Sequence, residues 1–156
     1  MRVGFGYDVH RFASKRRLII GGVEIKHKFG LLGHSDADVL LHSICDALLG
    51  AAGLRDIGYY FPNTDSKWKD VSSLVLLNRT GELIKKKKFK IINIDSTVIL
   101  EQPKLSQYID TMKKNISKIL KMKTGKISIK ATTSEGLGFI GKNEGCAAYT
   151  ICSLKK

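Results

Sequence analysis

Val3-Gly4-Phe5-Gly6-Tyr7-Asp8-Val9-His10, residues 3–10, alternate without a break. In a β-strand, residues i and i+2 point the same way, so the stretch predicts an opening strand with two unlike faces. Val3, Phe5, Tyr7 and Val9 make one face apolar. Gly4, Gly6, Asp8 and His10 make the other. There a carboxylate and an imidazole stand side by side, and two glycines leave space behind them. Whatever fills that space lies against Asp8 and His10.

Working outward, strands are expected at about 2–9 and 18–25, then a helix at about 36–52. Ser35-Asp36-Ala37-Asp38 has the form of a capping box with Ser35 as N-cap, and Gly53 suits the stop. Leu54 to Lys69 reads as a loop with turn residues Pro62, Asn63 and Asp65. Its length is unusual for a compact domain and points to function. A second helix is expected at about 71–87 and a β-branched strand at about 89–100. Pro103 opens a third helix, in which Leu105, Ile109, Met112, Ile116 and Ile119 are spaced as an amphipathic stripe. A strand at 126–132, a glycine-rich loop at 133–145 and a last strand at 146–154 complete the chain. This order predicts an α+β fold: a single two-layer domain over 1–156, with a mixed β-sheet and helices packed on one face. In the last strand Ala147, Tyr149 and Ile151 alternate with Ala148, Thr150 and Cys152. Neither face is strongly polar, which predicts a partner subunit on the face the helices leave open.

At 156 residues and 43% apolar content, one domain with one core is expected. Neither a signal-peptide pattern nor an apolar run of about 20 residues is found, so no membrane partner and a cytoplasmic location are expected. Cys45, Cys146 and Cys152 form no C-x-x-C pair and suit a reducing compartment. The formal charge of +13, from 27 basic and 14 acidic residues, admits nucleic acid, a membrane surface or anionic small molecules. Lys85 to Lys88 fall at the end of a predicted helix, where cations suit the dipole. No aromatic residues interleave with them as a single-strand-binding platform requires. A solvated face, with no nucleic-acid partner, is the reading.

His42 lies on the first predicted helix with Asp38 and Asp46 four residues to either side. If that helix meets the polar face of the first strand, Asp8, His10 and His42 converge. Two imidazoles and a carboxylate suit a divalent metal, and three protein ligands leave a position open. Asp38 or Asp46 would then orient an imidazole from behind. A salt-bridged His–Asp cluster without metal is the competing reading. Cys45 is a further candidate ligand, or a small buried hydrophobe; His27 reads as exposed.

Gly136-Leu137-Gly138-Phe139-Ile140-Gly141 is a literal G-x-G-x-x-G, but a strand, not a helix, is expected after it, so a dinucleotide site fails its context. Thr132, Thr133, Ser134 and Glu135 before it offer hydroxyls, backbone N–H groups and a carboxylate, suited to phosphate oxygens and Mg²⁺, or to a plain polar turn. His34 and Ser35 stand at a helix N-terminus, as an anion site or as capping alone. Together these features favour an enzyme acting on a phosphorylated small molecule with one tightly bound metal and Mg²⁺.

"GYDVHRF", "GHSDADVLLHSICDALLGAAGLRDIGYYFPNTD", "QPKL" and "KATTSEGLGFIGKNEG" resemble the motifs of the 2-C-methyl-D-erythritol 2,4-cyclodiphosphate synthase family, in register and over essentially the whole chain. The resemblance implies a phosphorus–oxygen lyase of the non-mevalonate isoprenoid pathway. Its reaction would be attack of the 2-phosphate of 4-diphosphocytidyl-2-C-methyl-D-erythritol 2-phosphate on the β-phosphate, with release of CMP. It also implies a homotrimer whose sheets face the centre and whose active sites lie between subunits.

Residue by residue, the resemblance places one Zn²⁺ per subunit, with an open coordination site, on Asp8, His10 and His42, and Mg²⁺ or Mn²⁺ on Glu135. His34 and Thr133 match positions assigned to transition-state stabilisation. Asp8, His10, His34 and Ser35 match substrate contacts, as do Asp56, Ile57 and Gly58, and Phe61, Pro62, Asn63, Thr64 and Asp65. The cytidine pocket falls on Leu100, Glu101, Gln102 and Pro103, on Lys104, Leu105 and Ser106, and on Ala131, Thr132 and Thr133; Ser134 and Glu135 follow. Phe139 and Lys142 match a region facing the threefold axis. Two positions depart from the pattern: Asn63 where many members have Asp, and Lys142 where some have Arg. Two rival classes are carried beside this reading. A zinc-dependent phosphohydrolase would use metal-bound water, and a basic nucleic-acid-binding module would rest on charge alone.

Overall fold

A computed structural model describes residues 1–156. The opening strand, β1 (Arg2–Ala13), carries the whole of the alternating stretch and runs four residues beyond its expected end. The expected strand at 18–25 is instead a hairpin, β2 (Leu18–Ile20) and β3 (Val23–Ile25). Gly21 and Gly22 turn it with φ of 62° and 69°, a conformation that glycine adopts at no steric cost. A short β4 (Gly30–Leu31) precedes the central helix α1 (Val39–Ala51).

The long loop is not featureless. It contains a four-residue helix, α2 (Ile57–Tyr60), and a 3₁₀ turn at Ser66–Trp68. Then follow α3 (Ser73–Lys86), β5 (Lys90–Ile99), α4 (Ile109–Leu120), β6 (Ile127–Thr132), the single-turn α5 (Gly138–Gly141) and β7 (Gly145–Lys155). The expected start of the third helix at Pro103 is wrong. Residues 100–105 are irregular, with a bend at 101–103, and a 3₁₀ turn at Ser106–Tyr108 leads into α4. The stripe itself holds, with Leu105, Met112 and Ile116 buried.

The main sheet has the order β4-β1-β7-β5-β6, antiparallel except for the parallel pair β5–β6. This is the expected mixed sheet with helices on one face. Helix α1 is apolar nearly all round, and only His42, Asp46 and Gly50 keep exposure. Such a helix belongs at the centre of a core. It lies on β1 and β7, and the glycines of β1 make this possible. A Cβ on Gly4 would overlap the Ala47 carbonyl oxygen, and one on Gly6 the Ser43 carbonyl oxygen. The helix backbone itself therefore fills the gap read from the sequence. Two residues of strand (about 6.7 Å) match four of helix (about 6 Å), so the two elements stay in step, and His42 is carried to the level of Asp8.

The sequence expectation of Ser35 as N-cap is corrected. Asp38 caps α1, accepting from Leu41 N–H at 3.0 Å. Its carboxylate also takes Gly21 N–H at 2.9 Å and Gly22 N–H at 2.7 Å. One buried side chain thus caps the helix and holds the hairpin turn. Burial and the neighbouring Asp36 push its carboxyl up to about 6 against these three bonds.

On its far face the sheet is bare. Val3, Phe5, Tyr7 and Val9 of β1 and Tyr149 and Ile151 of β7 are exposed, Phe5 at 60% and Ile151 at 52%. Tyr7 and Tyr149 stack across the strands at 4.9 Å. Exposed apolar side chains in such a contiguous set mark an interaction face.

Candidate active site and metal centre

Strand β1 delivers Asp8 and His10 on its helix-facing side, and α1 delivers His42. His10 Nε2 lies 2.9 Å and His42 Nδ1 3.1 Å from Asp8 Oδ2, and the two ring nitrogens are 3.2 Å apart. A tetrahedral zinc with bonds of about 2.0–2.1 Å sets its ligands about 3.4 Å apart, close to this triangle. Each ring is engaged outward through its other nitrogen. His10 Nδ1 donates to the Leu32 carbonyl at 2.8 Å, and His42 Nε2 meets the hydroxyls of Ser73 at 2.9 Å and Ser35 at 3.2 Å. Both imidazoles thus present their remaining nitrogen to the carboxylate, where it can serve a cation. Such a donor set needs a cation or a proton among its members, and the three residues fit a divalent metal.

Without metal, a proton takes that place. Burial pushes Asp8 up, but hydrogen bonds from His10 and His42 and their charge bring it down to about 2. Burial likewise opposes charge on His10, yet the hydrogen bond and charge of Asp8 raise its pKa above the ordinary value.

The residues expected behind the imidazoles are not the ones found. Asp38 faces the hairpin, and Asp46 accepts Ile57 N–H at 2.7 Å, fixing the start of α2. Ser73 and Ser35 stand behind His42 instead. Ser73 escaped sequence reasoning because it lies 31 residues away, at the start of another helix. Cys45 is fully buried in the core and does not join the Asp8–His10–His42 group. His27, expected to be exposed, is half-buried between Phe12 and Phe29.

Beside the triangle lies the segment carrying His34 and Ser35. Arg16, also missed, pins it by donating to the carbonyls of Leu31 (3.1 Å), Gly33 (3.3 Å) and Ser35 (2.8 Å). His34 Nε2 reaches the Asp65 carbonyl at 3.4 Å, and its own carbonyl accepts Asp70 N–H at 2.8 Å. The 61–70 segment therefore sits against His34. Phe61 is buried edge-on to Trp68, while Asp56, Gly58, Asn63 and Thr64 are exposed.

The other predicted group gathers elsewhere. A cavity of about 180 Å³ is lined by Leu100, Glu101, Pro103, Lys104, Leu105, Ser106, Ala131, Thr132 and Thr133. Gln102 alone of the expected 100–106 stretch does not line it. Glu101 holds the following loop, accepting Ser134 N–H at 2.8 Å and Ser134 Oγ–H at 2.9 Å. The Ser134 bonds lower its carboxyl below the usual range. Thr133 and Glu135 are exposed, with Thr133 Oγ1 3.2 Å from Glu135 Oε1. The register puts Asp8, Ala148, Val98 and Ala131 in one row across four strands. Three strand spacings separate the triangle from this loop, about 14 Å. Within one chain, then, Asp8, His10 and His42 come together, and Thr133 and Glu135 do not join them.

Phe139 lines a third hollow of about 510 Å³ with Tyr7, Val9, His10, Arg11, Leu32 and Glu144; Lys142 does not. A cavity of about 710 Å³ lies at the opposite end of the sheet and is lined by none of the predicted residues.

The family model of the YgbB family matches residues 1–155. The chain belongs to the YgbB family. Among its relatives is the 2-C-methyl-D-erythritol 2,4-cyclodiphosphate synthase of Clostridium botulinum (strain Hall), 58% identical over 154 residues, 99% of this chain and 99% of that protein. The enzyme of the same name from Syntrophomonas wolfei is 52% identical over 156 residues, 100% of this chain and 99% of the relative. Family structures agree. The bifunctional IspDF of Campylobacter jejuni superposes with a TM-score of 0.95 at 45% identity, covering 99% of this chain and 42% of that longer one. Plasmodium falciparum IspF in a CDP complex gives 0.85 at 37% identity, covering 98% and 94%.

Proposed function

We propose that this YgbB-family chain is a cyclodiphosphate synthase. It would convert 4-diphosphocytidyl-2-C-methyl-D-erythritol 2-phosphate to 2-C-methyl-D-erythritol 2,4-cyclodiphosphate and CMP, in isoprenoid precursor synthesis. The observation that carries this reading is the Asp8–His10–His42 triangle, set in a chain similar from end to end to enzymes of that name.

Asp8, His10 and His42 would hold zinc and Glu135 a magnesium ion; bound there, these cations supply charge neutralisation and Lewis-acid polarisation of phosphate oxygens. The chain's own groups do the positioning. The substrate brings its nucleophile, so no side chain need attack, and catalysis rests on orientation and electrostatics. His34, held against the 61–70 segment, and Thr133, at the end of β6, would donate to phosphate oxygens. Asp56 to Gly58 and Phe61 to Asp65 would take the erythritol. The cavity around Pro103 has room for one pyrimidine ring rather than a whole nucleotide, which suits a cytosine. Asn63, neutral where many family members carry Asp, would contact substrate without charge repulsion.

The active site would be shared between copies. The bare apolar face of β1 and β7 supports association, and the separation of the triangle from Thr133 and Glu135 supports sites completed by a neighbour. A homotrimer closes such an arrangement. Phe139 and Lys142 would then lie near its axis. No helix is long and apolar enough to cross a membrane, and three buried, unpaired cysteines suit the cytoplasm.

Incubating the protein with the cytidyl substrate and Mg²⁺ tests the reading. Ring-closed product and CMP are expected; a linear monophosphate would instead indicate a metal-dependent phosphohydrolase. His42→Ala is expected to abolish zinc content and turnover with an unchanged circular dichroism spectrum. An active, zinc-loaded variant would refute the metal assignment.

A further inference from the structure

The outer side of His42 meets a pair of residues with no assigned role. Ser73 Oγ lies 2.9 Å from His42 Nε2 and hydrogen-bonds to Asp36 Oδ1. Asp36 Oδ2 accepts Ser73 N–H at 2.9 Å. The Ser73 hydroxyl is the donor to Asp36 Oδ1. A serine has one hydroxyl proton. With that proton committed, Ser73 Oγ meets His42 only as an acceptor. His42 Nε2 therefore carries a hydrogen, which leaves Nδ1, facing Asp8 and His10, as the nitrogen whose lone pair a cation can take.

We propose that Ser73, polarised by Asp36, is a positioning residue for the metal centre. It holds His42 as the Nε2–H tautomer, fixes the ring plane and makes Nδ1 a stronger donor to a divalent cation. This rests on the reading of Asp8, His10 and His42 as ligands. It extends the ligand arrangement outward through an imidazole, a hydroxyl and a carboxylate, the kind of support that raises ligand basicity.

Two observations separate this role from a merely structural one. Ser73 is fully buried at the first position of α3, yet the helix is capped by Ser72, whose Oγ accepts Leu74 N–H at 3.3 Å. The Ser73 hydroxyl is thus free of capping duty. Ser35 Oγ also approaches His42 Nε2, but at 3.2 Å, and it already accepts Ala37 N–H. It shows no hydrogen bond to a carboxylate, so it is the weaker acceptor. The start of α3 therefore joins β1 and α1 in building the centre.

The test has two arms. In the first, zinc is titrated away with a chromophoric chelator from the unsubstituted protein and from Ser73→Ala and Ser35→Ala. Ser73→Ala is expected to lower zinc affinity about ten- to a hundredfold, and Ser35→Ala by less than about threefold, with unchanged far-UV circular dichroism. In the second, ¹⁵N–¹H imidazole correlation spectra of the unsubstituted, metal-free protein are expected to show His42 protonated at Nε2; this arm needs no variant to fold. Undiminished zinc affinity in Ser73→Ala, or a His42 with no proton on Nε2, would overturn the proposal. An unsubstituted protein with no zinc affinity would overturn the metal reading, while the tautomer spectrum still decides for or against Ser73.

Discussion

At the scale of single residues, the chemistry of the centre depends on which atoms carry protons. In the metal-free chain Asp8 is lowered to about 2 from 3.8. Its contribution to stability is present above 3.8 and is lost as pH falls through about 2. His10 is raised above 6.5. Its contribution is fully present below 6.5 and is lost as pH rises through its folded value. The metal needs His10 neutral, so acid releases it. The two forms should therefore respond oppositely. Between about pH 6 and pH 8 the melting temperature of the metal-free protein falls, while that of the zinc-saturated protein rises. Parallel pH profiles by calorimetry would contradict the assignment of His10 as a ligand. The residues of the triangle were legible because Asp8 and His10 share one strand face, and strand periodicity is a property of the backbone. The groups behind them were not. Ser73 and Arg16 act from 31 and about 17 residues away, through contacts that no spacing rule encodes.

Among the elements, the pairing of β1 with α1 controls the site. Gly6 allows the helix backbone to touch the strand, and no side chain at that position can be accommodated without moving α1. Gly6→Ala is expected to cost about 3 kcal/mol, a fall in Tm of roughly 6–12 °C. It should also weaken zinc binding, because His42 would move away from Asp8. Gly50, on the same helix, has open space around its Cα, and Gly50→Ala should gain about 0.5–1 kcal/mol through helix propensity. Thermal melts of the two variants, with zinc content, check both. The sequence pattern revealed the glycine gap but not its occupant. It also put the cap of α1 at Ser35, since a capping-box pattern is local. The actual cap, Asp38, was selected by a tertiary contact, the Gly21–Gly22 turn brought against it.

For the molecule as a whole, the bare sheet face is the deciding feature. Ile151 is half exposed in the single chain, so Ile151→Glu should fold as a monomer. Within an assembly that buries this face, an unpaired carboxylate would be costly. Sedimentation is expected to show a smaller species, and turnover should fall at least about tenfold, with zinc still bound. An unchanged mass and rate would remove the shared-site reading. The alternation in β1 and β7 had announced an apolar outer face, and the structure adds that it is continuous across both strands.

Periodicity alone determined that Asp8 and His10 share a face, that the outer face of the sheet is apolar, and that a helix carrying His42 follows. These are consequences of backbone geometry acting on a local pattern. Only the tertiary structure decided that His42 reaches Asp8, that Ser73 and Asp36 stand behind it, and that Thr133 and Glu135 lie three strands away. Those distances are set by strand order and by the depth at which α1 settles on the β1 glycines, and both depend on residues far apart in the chain.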